Sequence, residues 1–183
     1  GDTRCEAAKG LLLEMAADPA VPPRLLCAAI YALHALGDDT YTGELGRLLH
    51  HKDRWVVATA AMVMGRMGEP SAIGPLKTVQ NDNHDPDVQL QVVEALASLG
   101  DERSAALIEA FTKSQAIEDR LMAVTALGRL RQSRSLHVLR KVLNDPKTYG
   151  PIVRVAAAGG LARLDQPDEA VDLPEPVVEF STK

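Results

Sequence analysis

Apolar residues recur along this chain at helical spacing, three and four positions apart, and the pattern itself recurs. The segment Ala29 to Gly37 reads Ala-Ile-Tyr-Ala-Leu-His-Ala-Leu-Gly, and segments of the same design begin at Ala60, Val92, Ala123 and Ala157. Their last residues, Gly37, Gly68, Gly100, Arg131 and Asp165, stand 31, 32, 31 and 34 residues apart. A period of that length marks stacked two-helix units. Within the first copy Leu26, Ala29, Ile30, Leu33 and Leu36 fall on one helical stripe. Gly37, Gly68 and Gly100 each follow the last periodic residue, where a left-handed glycine ends a helix without a Cβ clash.

A second, shorter periodic segment lies between these copies, over residues 43–50, 71–80, 104–113 and 133–143. Its stripes are Leu45, Leu48 and Leu49, then Ile73, Leu76 and Val79, then Leu107, Ile108 and Phe111, then Leu136, Leu139, Val142 and Leu143. Ser71, Ser104 and Ser133 stand where N-caps are expected. A helix over residues 4–17 supplies the missing partner of the first copy. Asp and Pro at Asp18-Pro19, Asp53, Asp85-Pro86 and Asp145-Pro146 suit the junctions into the repeated helices, Asp as a cap and Pro in a first turn. A lone pair of such helices cannot bury its apolar face, whereas a stack can.

The phrases Arg120-x-x-Ala123-Val124-x-Ala126-Leu127-Gly128-Arg129-Leu130 and Val153-Arg154-x-x-Ala157-Ala158-x-x-Leu161-x-x-Leu164 resemble HEAT-like repeats, most nearly the bacterial phycobilisome-lyase-like (E/Z) type, over about residues 4–165. The expected fold is therefore all-α, an α-solenoid (α-α superhelix) of about five HEAT-like hairpins spanning residues 1–165. Residues 166–183, with Pro167, Pro174 and Pro176, read as an extended acidic tail that caps the last repeat through Leu173, Val177, Val178 and Phe180. The resemblance implies an arginine near the start of each second helix, paired with an acid of a neighbouring repeat. Three copies carry Leu26, Val57 and Gln89 there, so the N-terminal half is expected to rely more on apolar packing. Gly159-Gly160 inside the last helix predicts either close packing or fraying, since an interior glycine costs up to about 1 kcal/mol relative to alanine.

Composition narrows the function. The chain has 183 residues, is 46% hydrophobic but only 3% aromatic, and carries a net charge of −5, with no general attraction for nucleic acid or anionic membranes. No apolar run reaches the roughly 20 residues of a membrane span. Cys5 and Cys27 form no paired motif, which suits a reducing, cytoplasmic setting. The chain begins at Gly1 without a methionine, read as a processing boundary beyond which a targeting signal or another domain can lie.

No catalytic constellation is legible: there is no G-x-S-x-G, no phosphate loop and no dinucleotide motif. His34, His50, His51, His84 and His137 lack metal-ligand spacing, so no metal and no cofactor is expected, and Cys27 reads as a small core residue. Charge is uneven. Residues 120–154 hold eight Lys or Arg, including Arg120, Arg131, Arg134, Arg140 and Lys141, against the single acid Asp145, whereas six acids fall between Asp165 and Glu179. The basic block is either a solvated face with intra-repeat ion pairs or a docking patch for an acidic protein segment or phosphates.

The resemblance implies that the second helix of each pair lines the concave side. Off the core stripe these helices offer a ladder of Tyr31, His34, Thr59, Met62, Arg66, Gln91, Glu94, Met122, Thr125, Arg129 and Arg163, with Trp55 nearby. Tyr31, Met62 and Trp55 stand out, because exposed aromatic and Met side chains are enriched at interfaces. The primary expectation is a non-enzymatic module binding a protein or peptide on that face. A lyase-type or DNA-glycosylase-type enzyme subunit, or a regulatory domain of a larger chain, are the alternatives. Partner identity and oligomeric state are not legible.

Overall fold

The computed structural model describes residues 3–130 and 132–164. Arg131, the side chain of Cys5 and the capping role expected of residues 166–183 lie outside the described residues. Among those described are ten α-helices and no strand: α1 (Thr3–Ala17), α2 (Pro23–Ala35), α3 (Thr42–Leu48), α4 (Arg54–Met67), α5 (Ile73–Asp82), α6 (Pro86–Ser98), α7 (Glu102–Phe111), α8 (Ile117–Leu127), α9 (Ser133–Asn144) and α10 (Pro151–Leu164). A 3-10 turn, Pro70–Ala72, leads into α5. The helices pair in chain order as five hairpins, an α-solenoid.

Second helices also touch one another, α2 on α4, α4 on α6 and α8 on α10, while the first helices make no comparable mutual approach. The second helices therefore form the more closely packed row of the stack, the inner row.

The four later first helices each carry a fully buried leucine or isoleucine: Leu45 in α3, Leu76 in α5, Ile108 in α7 and Leu139 in α9. Burying a Leu or Ile of this kind stabilises the fold by about 1.5–3 kcal/mol. The core divides at α6. Val88, Val92, Ala95 and Leu96 pack into the N-terminal half, and Val93 and Ala97 into the C-terminal half.

Glycine sets how close the inner helices come. A Cβ on Gly65 would lie 2.6 Å from Ala95 Cα, and one on Gly128 would lie 2.7 Å from Gly160 Cα, so α4 meets α6 and α8 meets α10 backbone to backbone. Of the two alternatives for Gly159-Gly160, close packing holds at Gly160, whereas Gly159 has no atom within 4 Å of its would-be Cβ. The seam between α6 and α8 is looser.

Helix termini follow the expected chemistry with a shift in residues. Gly37, Gly68 and Gly100 have φ of 74°, 76° and 94°, as a left-handed stop requires. Asp53 and Asp85 cap α4 and α6. The three serines do not act as caps. Ser104 lies inside α7, which is capped by Asp101 accepting its N–H at 3.0 Å; Ser71 lies within the 3-10 turn; and Ser133 is the first residue of α9. Asp18 and Asp145 organise the longer loops before α2 and α10.

The arginines at the repeat position bond backbone rather than acids. Arg154 Nε donates to Leu143 O at 2.8 Å and Arg120 Nη1 to Thr148 O at 3.4 Å. Gln89 does the same work in the third repeat, donating Nε2 to Gln80 O at 2.7 Å and to Asn83 O. Hydrogen bonds to helix-end and loop carbonyls therefore replace the expected ion pairs at this position.

Candidate interaction site on the inner helices

Five of the ladder residues meet. Met62 and Arg66 on α4, Gln91 and Glu94 on α6, and Arg129 just beyond α8 line one cleft of about 220 Å³, floored by Gly65, Ala95, Ser98 and Leu130. The close approach at Gly65 builds its floor. Ser98 Oγ ties the two helices by donating to Ala95 O at 2.7 Å and Gly65 O at 3.2 Å. Across the looser α6–α8 seam, Arg129 holds Glu94 with two bonds, Nε to Oε1 at 2.6 Å and Nη2 to Oε2 at 2.8 Å. Gln132 Nε2 adds a bond to Ala97 O at 3.0 Å.

The cleft is electrostatically lopsided. Glu94 is neutralised by Arg129, while Arg66 is exposed and forms no ion pair among the described residues. Cation and apolar surface therefore sit side by side at Arg66 and Met62.

The remaining ladder residues do not join it. Tyr31 is exposed on α2, and Arg163 is exposed on α10. His34 is half-buried and bonded through Nδ1 to Asp39 Oδ1 at 2.6 Å, which raises its pKa, with Asp39 and Glu69 adding electrostatic support. Thr59 and Thr125 turn back to Trp55 O and Leu121 O of their own helices. Trp55 is 47% exposed, with the Arg54 guanidinium 4.9 Å above its ring.

Met122 lines a different cleft of about 440 Å³, between α6, α7 and α8, with Leu90, Val93, Leu107 and Phe111. Sequence reading placed Leu107 and Phe111 on the core stripe of α7, yet they are 41% and 38% exposed. Only Ile108 of that stripe is buried, because the open α6–α8 seam leaves its flanks uncovered. The only sequence signal was a stripe wider than one buried row.

The basic block is not one surface. Arg120 is half-buried with its Nε unbonded, Arg134 is paired with Glu109 at 2.7 Å, and Arg129 is held by Glu94. Arg140 and Lys141 are the members left exposed together, on the outer face of α9. Arg129 and Arg134 are thus ion-paired, but to acids of the preceding repeat, Glu94 on α6 and Glu109 on α7, and not within their own repeat as expected.

Cys27 is wholly buried, and burial pushes its thiol up to about 11, so no thiolate forms near neutrality. His51 Nδ1 accepts the Asp53 N–H at 3.0 Å, while His50, His84 and His137 are exposed. Among the described residues no three His, Cys, Asp or Glu side chains gather as a metal site would need. None of the described helices is long and apolar enough to cross a membrane.

Comparison with curated proteins finds no match. A family profile described as HEAT repeats matches residues 8–97, 47–114 and 104–175, overlapping spans that take in all five hairpins. With the paired helices, the 31- to 34-residue period and the glycine stops, this establishes that the chain belongs to the HEAT-repeat family.

Proposed function

We propose that this protein is a non-enzymatic scaffold that binds an acidic protein or peptide segment on its inner helix row, at the cleft between Met62, Arg66 and Arg129. The observation that carries the reading is the convergence of five ladder residues there, with a free cation beside a thioether. HEAT repeats commonly serve as protein-interaction scaffolds, and an extended inner row suits a segment laid across several repeats. The net charge of −5 disfavours nucleic acid as the partner. The finer assignment to the phycobilisome-lyase-like (E/Z) type is proposed on the Arg120 and Arg154 phrases alone.

The test is affinity capture with wild type, Arg66→Glu, Met62→Asp and a remote control, Arg24→Glu. A protein retained by wild type and the control but lost from both cleft variants supports the reading. Equal recovery by all four would remove the cleft from the binding surface.

A further inference from the structure

We infer that the apolar cleft between α6, α7 and α8 is a docking groove for a basic amphipathic helix of a protein partner. The cleft exists because one seam of the inner row stays apart. At the register position where α4 carries Gly65 and α8 carries Gly128, α6 carries Ala97, and its seam with α8 is the looser one. Arg129 and Gln132 bridge that seam at the C-terminal end of the two helices, through Glu94 and Ala97 O. It therefore opens toward their N-terminal turns.

The opening, of about 440 Å³, gathers large apolar side chains at the surface. Leu107, Phe111 and Met122 are 41%, 38% and 42% exposed, and with the half-buried Leu90 they belong to neither core cluster. Phe111 is one of only two phenylalanines in the chain. Its ring offers a large apolar contact, and the Met122 thioether adapts to whatever packs beside it.

The rim fixes the chemistry of the occupant. Asp87 and Asp119 line the cleft, and no Lys, Arg or His does. Asp87 is half exposed and 3.7 Å from Arg54, whose closer partner is Asp85 at 3.1 Å. Asp119 accepts a hydrogen bond from Ser114 Oγ at 2.7 Å, and Glu118 beside it is exposed with no ion pair among the described residues. An apolar floor under an acidic rim complements an apolar stripe flanked by cations. The acidic stretch from Asp165 to Glu179 has the wrong sign for this rim. The walls are helices, whose main-chain groups are bonded within their own ladders, so an extended segment would find no backbone partners there. A helix brings its own bonds already made. The groove shares no lining residue with the cleft at Met62 and Arg66, so its occupancy is a separate question.

Fluorescence anisotropy with the full chain tests this. The probes are a labelled leucine–lysine peptide with leucines at helical spacing, its leucine–glutamate counterpart, and a leucine–lysine peptide of scrambled order. The first is expected to bind about tenfold tighter than either of the others. Met122→Asp and Phe111→Asp should each weaken it about tenfold, while Met62→Asp, the same change in the other cleft, leaves it unchanged. Attraction by net charge alone would instead make Met122→Asp bind more tightly. Asp87→Asn combined with Asp119→Asn should cost about two- to fivefold and flatten the salt dependence. Circular dichroism checks each variant, and Met122→Asp, at an exposed position, serves if Phe111→Asp unfolds. No binding by wild type, equal binding of the three peptides, or equal effects of Met122→Asp and Met62→Asp would overturn the inference. So would a concentration-dependent dimer abolished by Met122→Asp, which would make a second copy the occupant.

Discussion

Arg129 grips Glu94 with both prongs of its guanidinium, joining the end of α8 to α6 across the looser seam of the inner row. The pair is partly exposed, 43% for the Arg129 side chain and 17% for Glu94, so its stabilisation is screened. Its larger consequence is to fix the cleft wall beside Met62. Arg129→Ala is expected to cost about 0.5–1 kcal/mol, a fall of roughly 1–4 °C in Tm. A double-mutant cycle with Glu94→Gln checks it, and a coupling energy of zero would show that the pair does not hold the seam.

Gly160→Ala should destabilise even though alanine is the better helix former. Its Cβ would meet Gly128 Cα at 3.1 Å and a Leu139 methyl at 3.1 Å. Overpacking of this kind costs about 1–3 kcal/mol, against up to about 1 kcal/mol gained in propensity. Gly10→Ala, in α1 with no atom within 4 Å of the new Cβ, should instead stabilise by about 0.5–1 kcal/mol. Urea unfolding of both variants reads the sign, and two shifts in the same direction would contradict the packing argument.

Asp101 caps α7 and also receives Lys77 Nζ at 2.8 Å, coupling the third repeat to the fourth. Lys77, then the Ser104 hydroxyl and N–H, hold its carboxyl at about 2. Its folded value lies below the ordinary 3.8, so its contribution is present above pH 3.8 and is lost as the pH falls through about 2. Asp101→Ala is expected to cost about 1 kcal/mol at pH 7. The gap between wild type and variant should close between pH 4 and pH 2. A pH-independent gap would show that the charge is irrelevant.

His34 titrates in the opposite sense. Its bond to Asp39 favours the charged imidazolium and raises its folded pKa, so its contribution is full below the ordinary value of 6.5 and is lost as the pH rises through the raised value. The Tm difference between wild type and His34→Gln should be largest near pH 5.5 and shrink toward pH 8.5. NMR titration of the imidazole measures the shift directly, and a value at or below 6.5 would contradict it.

Much of the fold was legible because repetition multiplies a weak signal. One segment ending in glycine says little, whereas copies at Gly37, Gly68 and Gly100 at nearly constant spacing define a period, and all three glycines are left-handed. The caps were harder to read. Asp101 and Ser104 are both good capping residues three apart, and only the backbone path decides that Asp101 receives the N–H. Of the candidate site, the ladder was readable as positions, but not its grouping. Met62, Arg66, Gln91, Glu94 and Arg129 converge while Tyr31, Met122 and Arg163 stand apart, because grouping depends on how far each helix is rotated against the next.

Hydrophobic period, glycine stops and small apolar residues by themselves determined an all-helical stack of five hairpins, since each is a local property that acts before distant segments meet. Only the tertiary structure decided which seams close. Gly65 against Ala95 and Gly128 against Gly160 bring two pairs of inner helices to backbone contact, while α6 and α8 are spanned by Arg129 and Gln132 instead. The physical reason is that close packing depends on which residues face each other across two helices, and one chain's pattern specifies a face without specifying its opposite.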